Sequence, residues 1–70
     1  MNKENAGYKI TTVVELEDVA IVIGHNPKAP APYVCWMANK ELTSFYWGRY
    51  CGTWAAAWDH LLERVDREAR

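Results

Sequence analysis

YVCWMANKELTSFYWGRYC, residues 33–51, consists of two aromatic and β-branched runs around a polar centre. Tyr33–Ala38 and Phe45–Cys51 have strand composition, and Asn39–Ser44 has the composition of a loop. This pattern predicts an antiparallel hairpin with a connection of several residues. Phe45, Tyr46 and Trp47 are consecutive, and successive strand side chains point to opposite faces, so large rings must appear on both sides of the sheet. One face is available to whatever packs next. The other must meet solvent, a second subunit or a partner.

Before the hairpin, Tyr8–Leu16 alternates. Ile10, Thr12, Val14 and Leu16 fall on one face and Lys9, Thr11, Val13 and Glu15 on the other, the period of a half-buried strand. Glu17-Asp18 interrupts it before Val19–Gly24. A tight turn there sets Leu16 against Val19, Val14 against Ile21 and Thr12 against Ile23, all apolar pairs except the last. The segment NPKAPAP, residues 26–32, carries three prolines and is expected to cross to the next strand as a stiff, exposed, polyproline-like connector. Its Pro27-x-x-Pro30 spacing matches ligands of SH3-type domains, a four-residue pattern common by chance. Residues 1–7 are polar and Gly-ended, and are expected to be frayed.

After the hairpin, Gly52-Thr53 stops the sheet, and Thr53 is a favourable helix N-cap. Trp54, Ala57, Trp58, Leu61, Leu62 and Val65 recur at intervals of three and four, giving an apolar helical stripe, with Asp59, His60, Glu63, Arg64, Asp66 and Arg67 opposite. On this reading Trp54 and Trp58 reach into the sheet. The expected fold is one α+β domain over residues 1–70: a small antiparallel β-meander of three to four strands with one C-terminal amphipathic helix on one face.

Seventy residues, 50% of them hydrophobic and 24% charged, are globular composition near the lower size limit for a single core. Four Trp and four Tyr place much of that core in aromatic rings. The formal net charge of −1 lacks the basic excess usual in nucleic-acid and membrane-surface proteins. The apolar run Val19–Ile23 is far too short to span a bilayer, and Met1–Asn5 has no apolar secretory core. A cytoplasmic location is expected, with Cys35 and Cys51 reduced. Counting outward from the hairpin loop puts Cys35 opposite Gly48 rather than Cys51, which also disfavours a disulfide.

Two His and two Cys suffice in number for one zinc site, but CxxC and HxxxH spacings are absent. A Cys–His nucleophile pair would need His25 beside Cys35 or Cys51, an orienting group and an enclosed pocket. No Gly-rich phosphate loop, paired carboxylates or HExxH occurs, so neither catalysis nor a cofactor is expected. The remaining candidate is the sheet face away from the helix. With Arg49 on that face, uninterrupted alternation adds Phe45, Trp47 and Cys51, an aromatic-plus-Arg stripe of the kind enriched at binding hot spots. The converse assignment, Trp47 toward the helix and Arg49 snorkelling at the edge, fits the spacing equally.

Tyr33–Val65, a strand, a turn, a strand ending Trp47-Gly48-Arg49-Tyr50 and a Thr-capped, Ala-rich helix, resembles the AP2 and tyrosine-integrase N-terminal DNA-binding domains. The resemblance implies a sheet laid in the DNA major groove with Trp36, Lys40, Trp47 and Arg49 as contacts. This chain departs from that family in being slightly acidic. His25-Asn26-Pro27, Tyr33-Val34 with Trp36, and Tyr46-Trp47-Gly48 with Tyr50 also resemble small proteins encoded on mobile elements of gut Firmicutes, which implies an accessory role. The expected function is a non-catalytic interaction module that binds a protein partner, or itself as a homodimer, through an aromatic sheet face or an edge strand, with Trp36, Lys40, Phe45, Trp47 and Arg49 as candidate contacts. The alternative is a nucleic-acid-binding module using the exposed sheet face.

Overall fold

The computed structural model of the chain describes residues 4–68. It contains an antiparallel sheet in the order β1-β2-β3-β4-β5, formed by Glu4–Asn5, Tyr8–Glu15, Ala20–His25, Tyr33–Ala38 and Phe45–Cys51, followed by one helix, α1, Trp54–Glu68. The class is α+β, as expected, but the strands number five rather than three to four. The added strand is β1, within the stretch expected to be frayed. It pairs with β2 through a two-residue turn in which Ala6 and Gly7 both have positive φ, the hand that matches strand twist.

The hairpins pair as the apolar pattern requires near their turns. Leu16 N–H donates to the Val19 carbonyl at 2.8 Å, and Val14 opposes Ile21 and Thr12 opposes Ile23. Farther along, two register shifts overturn simple alternation. On β2 the shift falls between Ile10 and Thr12, so Thr11 is extra, and Ile10 opposes Gly24. On β5 the residues Trp47 and Gly48 together oppose Trp36, with Trp47 at φ 57°. Each bulge moves the residues beyond it to the other face and bends its strand. Ile10 therefore leaves the face of Thr12 and Val14. Cys35 opposes Arg49, not Gly48.

The bends curl the sheet, and each face has its own core. Beneath α1 lie Ile21, Ile23, Cys35, Met37 and Cys51, packed on Ala57 and Leu61. On the other face Tyr8, Ala20, Val22, Val34, Trp36 and Ala38 are buried, with Ile10, Ala29, Leu42 and Phe45 against them. The open aromatic face expected from the sequence is thus closed by the sheet's own curl. Tyr8 of β2 meets Trp36 edge-on at 5.7 Å and Tyr50 of β5 at 5.8 Å, across two intervening strands. The Tyr8 hydroxyl then donates to the Ala31 carbonyl at 2.7 Å and ties down the proline segment. That segment is a loop, as expected, but one closed by turns rather than polyproline-like: Asn26 N–H donates to the Pro32 carbonyl, and the Asn26 side chain accepts from Lys28 N–H.

Gly24 makes the curl possible. A Cβ there would lie 2.9 Å from Tyr8 Cβ and 3.0 Å from Trp36 Cζ3, in the middle of the buried strand. Gly24→Ala is expected to cost about 1–3 kcal/mol through overpacking. Urea unfolding checks this, and an unchanged midpoint would mean that the two rings have room to retreat.

Thr53 caps α1 as read: its Oγ1 accepts from Ala56 N–H at 3.2 Å. The face that α1 buries differs from expectation. Ala57, Leu61 and Arg64 point into the protein, whereas Trp54, Trp58 and Leu62 are exposed along one flank. Trp54 and Trp58 stack on each other at 5.7 Å, and Trp54 meets Tyr33 edge-on at 6.0 Å. A small residue, Ala57, lets the helix sit close to the sheet, and the indoles are too large for that contact line. Arg64, placed by its charge on the solvated side, takes the buried position.

Candidate binding surface

β5 is the last strand of the sheet, and most of its residues are exposed. The bulge gives it its geometry. Because Trp47 adopts a left-handed conformation, its indole is thrown outward and is 70% exposed, beside Tyr46 at 5.6 Å between ring centroids. Gly48 follows because the Trp36 indole lies against that position: a Cβ would come within 2.7 Å of Trp36 Nε1. Tyr50 resumes the strand on the aromatic-core side, stacked edge-on to Trp36 at 6.4 Å yet 56% exposed.

The Trp47 carbonyl turns toward the helix, where Arg64 meets it. One Arg64 nitrogen donates to that carbonyl at 2.5 Å and another to the Cys35 carbonyl at 3.4 Å. Arg64 is only 9% exposed, so a buried guanidinium joins α1 to β4 and to the bulge of β5. Around it lies an open groove of about 420 Å³ lined by Met37, Trp47, Gly48, Arg49, Arg64, Arg67 and Glu68. Among the described residues it is lined by three arginines and one glutamate. Arginine forks of this kind recognise carboxylates and other planar anions, and an adjoining indole offers an apolar or stacking surface.

Of the residues singled out in the sequence, Trp47 and Arg49 come together at this groove. Phe45 does not join them, because the bulge sends it to the opposite face, where it packs on Trp36 at 5.6 Å. Trp36 is 4% exposed and lies in the interior. Lys40 is exposed in the β4–β5 loop, which the Asn39 side chain organises by accepting from Thr43 and Ser44 N–H. Arg64, Arg67 and Glu68 were not anticipated. Arg64 follows Ala57 by seven residues and Leu61 by three, so helical spacing alone would have placed it on the buried line.

His25 stacks on Tyr33 at 4.6 Å and lines a second recess of about 350 Å³ with Glu4, Gly7, Lys9, Asn26 and Pro27. It and Cys51 oppose Tyr33 from its two sides, so two strand spacings, roughly 9.5 Å, separate their backbones. Among the described residues no group of three or more His, Cys, Asp or Glu side chains is placed to hold a metal, and no helix is long and apolar enough to cross a membrane.

Cys35 and Cys51 are free, buried thiols. Burial pushes the Cys35 thiol up from 9.0 to about 11, against the opposing pull of Arg64. Burial also raises Cys51, partly offset by Arg49 and Arg64. The folded state therefore holds the Cys35 proton more tightly than the unfolded chain does. That contribution to stability is complete below pH 9.0 and is lost as pH rises toward 11. The stability difference between wild type and Cys35→Ala should shrink over that interval in guanidinium titrations. A constant difference would show that the thiol titrates normally.

No family model, curated protein or solved structure matches this chain.

Proposed function

We propose that the chain is a small non-catalytic interaction module that recognises a protein partner through the surface around β5. The observation that carries this reading is the outward Trp47, held in a left-handed conformation by a bulge whose carbonyl is anchored on buried Arg64. A rigid exposed indole beside Tyr46, Tyr50 and an arginine is hot-spot composition. The two free thiols suit a reducing compartment such as the cytoplasm.

Self-association by edge pairing is less well supported than recognition of a partner. The Trp47–Gly48 bulge interrupts β5 midway, and bulged edges resist continuous strand addition. The nucleic-acid alternative draws on Arg49, Arg64 and Arg67 beside Trp47. Among the described residues the other cations do not extend that patch into a track. Lys9 and Lys28 lie toward one end of the sheet and Lys40 toward the other, a strand length of about 20 Å away. A phosphate backbone needs a row of cations at the spacing of its charges.

Selection of displayed peptides on the wild-type chain, with counter-selection on Trp47→Ala, tests the reading. Exposed Trp47 contributes little to the core, so the variant should stay folded, within about 0.5 kcal/mol of wild type. Expected are peptides that bind the wild type at least tenfold more tightly than the variant. Overturning it would take the absence of any Trp47-dependent peptide, together with salt-sensitive amide shifts of β5 on adding mixed-sequence duplex DNA. Sedimentation at rising concentration checks the homodimer.

A further inference from the structure

The groove between β5 and the C-terminal half of α1 has a chemistry that the interaction reading leaves unspecified. Arg64 is buried, yet among the described residues its hydrogen bonds go to neutral main-chain carbonyls. Carbonyl dipoles offset only part of the cost of desolvating a cation, so an anion beside Arg64 would be favoured by its charge. Arg49 enters the same groove from β5 and Arg67 from the last turn of α1, with Glu68 the one carboxylate among the described lining residues. Burial raises the Cys51 thiol overall, and Arg49 and Arg64 pull against that rise, so both lie near enough for their charge to be felt there. Trp47 lines the groove as well, with its exposed indole beside it.

We infer that this groove is a carboxylate subsite, which takes the side chain of an Asp or Glu from an acidic peptide segment whose neighbouring apolar residue lies on Trp47. The inference rests on the protein-binding reading and narrows it to a partner class. Charge complementarity selects the occupant. Arg49 and Arg67 form the fork, and buried Arg64 supplies field and holds the bulge in place. A polynucleotide fits less well, because it would meet Glu68 in the groove and, among the described residues, no further cation row beyond it. A volume of about 420 Å³ suits one acidic side chain and its neighbour.

The test is an amide- and arginine-resolved NMR titration of the whole chain at low salt. The probes are a capped pentapeptide with Glu at its centre and Leu and Phe on either side, its Gln-centred counterpart, and an oligothymidylate of about ten nucleotides. The expected result is saturable shifts at Trp47, Arg49 and Arg67 with the Glu peptide. Binding should be at least tenfold weaker for the Gln peptide, for Arg49→Ala and for Arg67→Ala, two exposed positions whose loss leaves the core in place. Equal binding of the Glu and Gln peptides would overturn the carboxylate subsite and leave the protein-binding reading standing. Tighter binding of the oligonucleotide at the same residues would overturn both. Silence with all three probes would overturn the subsite, and the display selection, which does not depend on charge, would then judge the broader reading alone.

Discussion

Trp36→Ala is expected to remove about 3–5 kcal/mol of stability, the cost of deleting a large buried ring. A domain of this size holds roughly 4–10 kcal/mol in all, so the variant should be largely or partly unfolded at room temperature. The cost is high because Trp36 links distant strands. Its indole meets Tyr8 of β2, Tyr50 and Phe45 of β5, and lies against both Gly24 and Gly48. Edge-on aromatic contacts add about 0.5–1.5 kcal/mol each beyond the area they bury. Without the ring, the curl that joins β2 to β5 loses its centre. Urea unfolding followed by far-UV circular dichroism gives the loss. Trp58→Ala is the contrast. Trp58 is 37% exposed and lies on the flank of α1, so its removal should cost about 1 kcal/mol or less. Comparable losses for the two variants would mean that the second core is not a separate source of stability.

Arg64→Ala should cost about 2–4 kcal/mol. Hydrogen bonds to a charged donor contribute about 1.5–3 kcal/mol, and truncation also leaves the Cys35 and Trp47 carbonyls without this donor. The buried aliphatic stem adds a packing loss. The effect reaches the surface, because the Trp47 carbonyl is the point at which the helix grips the bulge. Trp47 should lose its fixed orientation, seen as a fall in its indole NMR shift dispersion, before the chain unfolds. Arg64→Met restores the stem but not the fork. It should recover part of the stability and none of the ordering of Trp47. A loss below about 0.5 kcal/mol for Arg64→Ala would show that the guanidinium is held by solvent rather than by the two carbonyls.

The gap between expectation and structure at this surface has one physical origin. Reading a strand by alternation assumes unbroken parity, and a bulge shifts that parity by one residue. Phe45, Trp47 and Arg49 form a single stripe on paper, yet Phe45 and Arg49 are on opposite faces because Trp47 and Gly48 together oppose Trp36. A glycine inside a strand was the available signal, since such glycines mark bulges or close backbone approaches. The helix was misread for a related reason. Its apolar band is wide, and the line within it that meets the sheet depends on how closely the backbones approach.

Local chemistry alone determined the element order from β2 to α1, the β2–β3 pairing of Val14 with Ile21, the Tyr33–Cys51 hairpin and the Thr53 cap. These depend on side-chain period, turn composition and capping, which act over a few residues. Tertiary structure decided that the sheet closes over its second face, that Arg64 is buried while Trp54 and Trp58 are not, and that three arginines share a groove with Trp47. Those outcomes arise from contacts between residues far apart in the chain. Two bulges set the curl, two glycines admit the rings, and the volume left between helix and sheet suits an alanine, a leucine and the stem of an arginine.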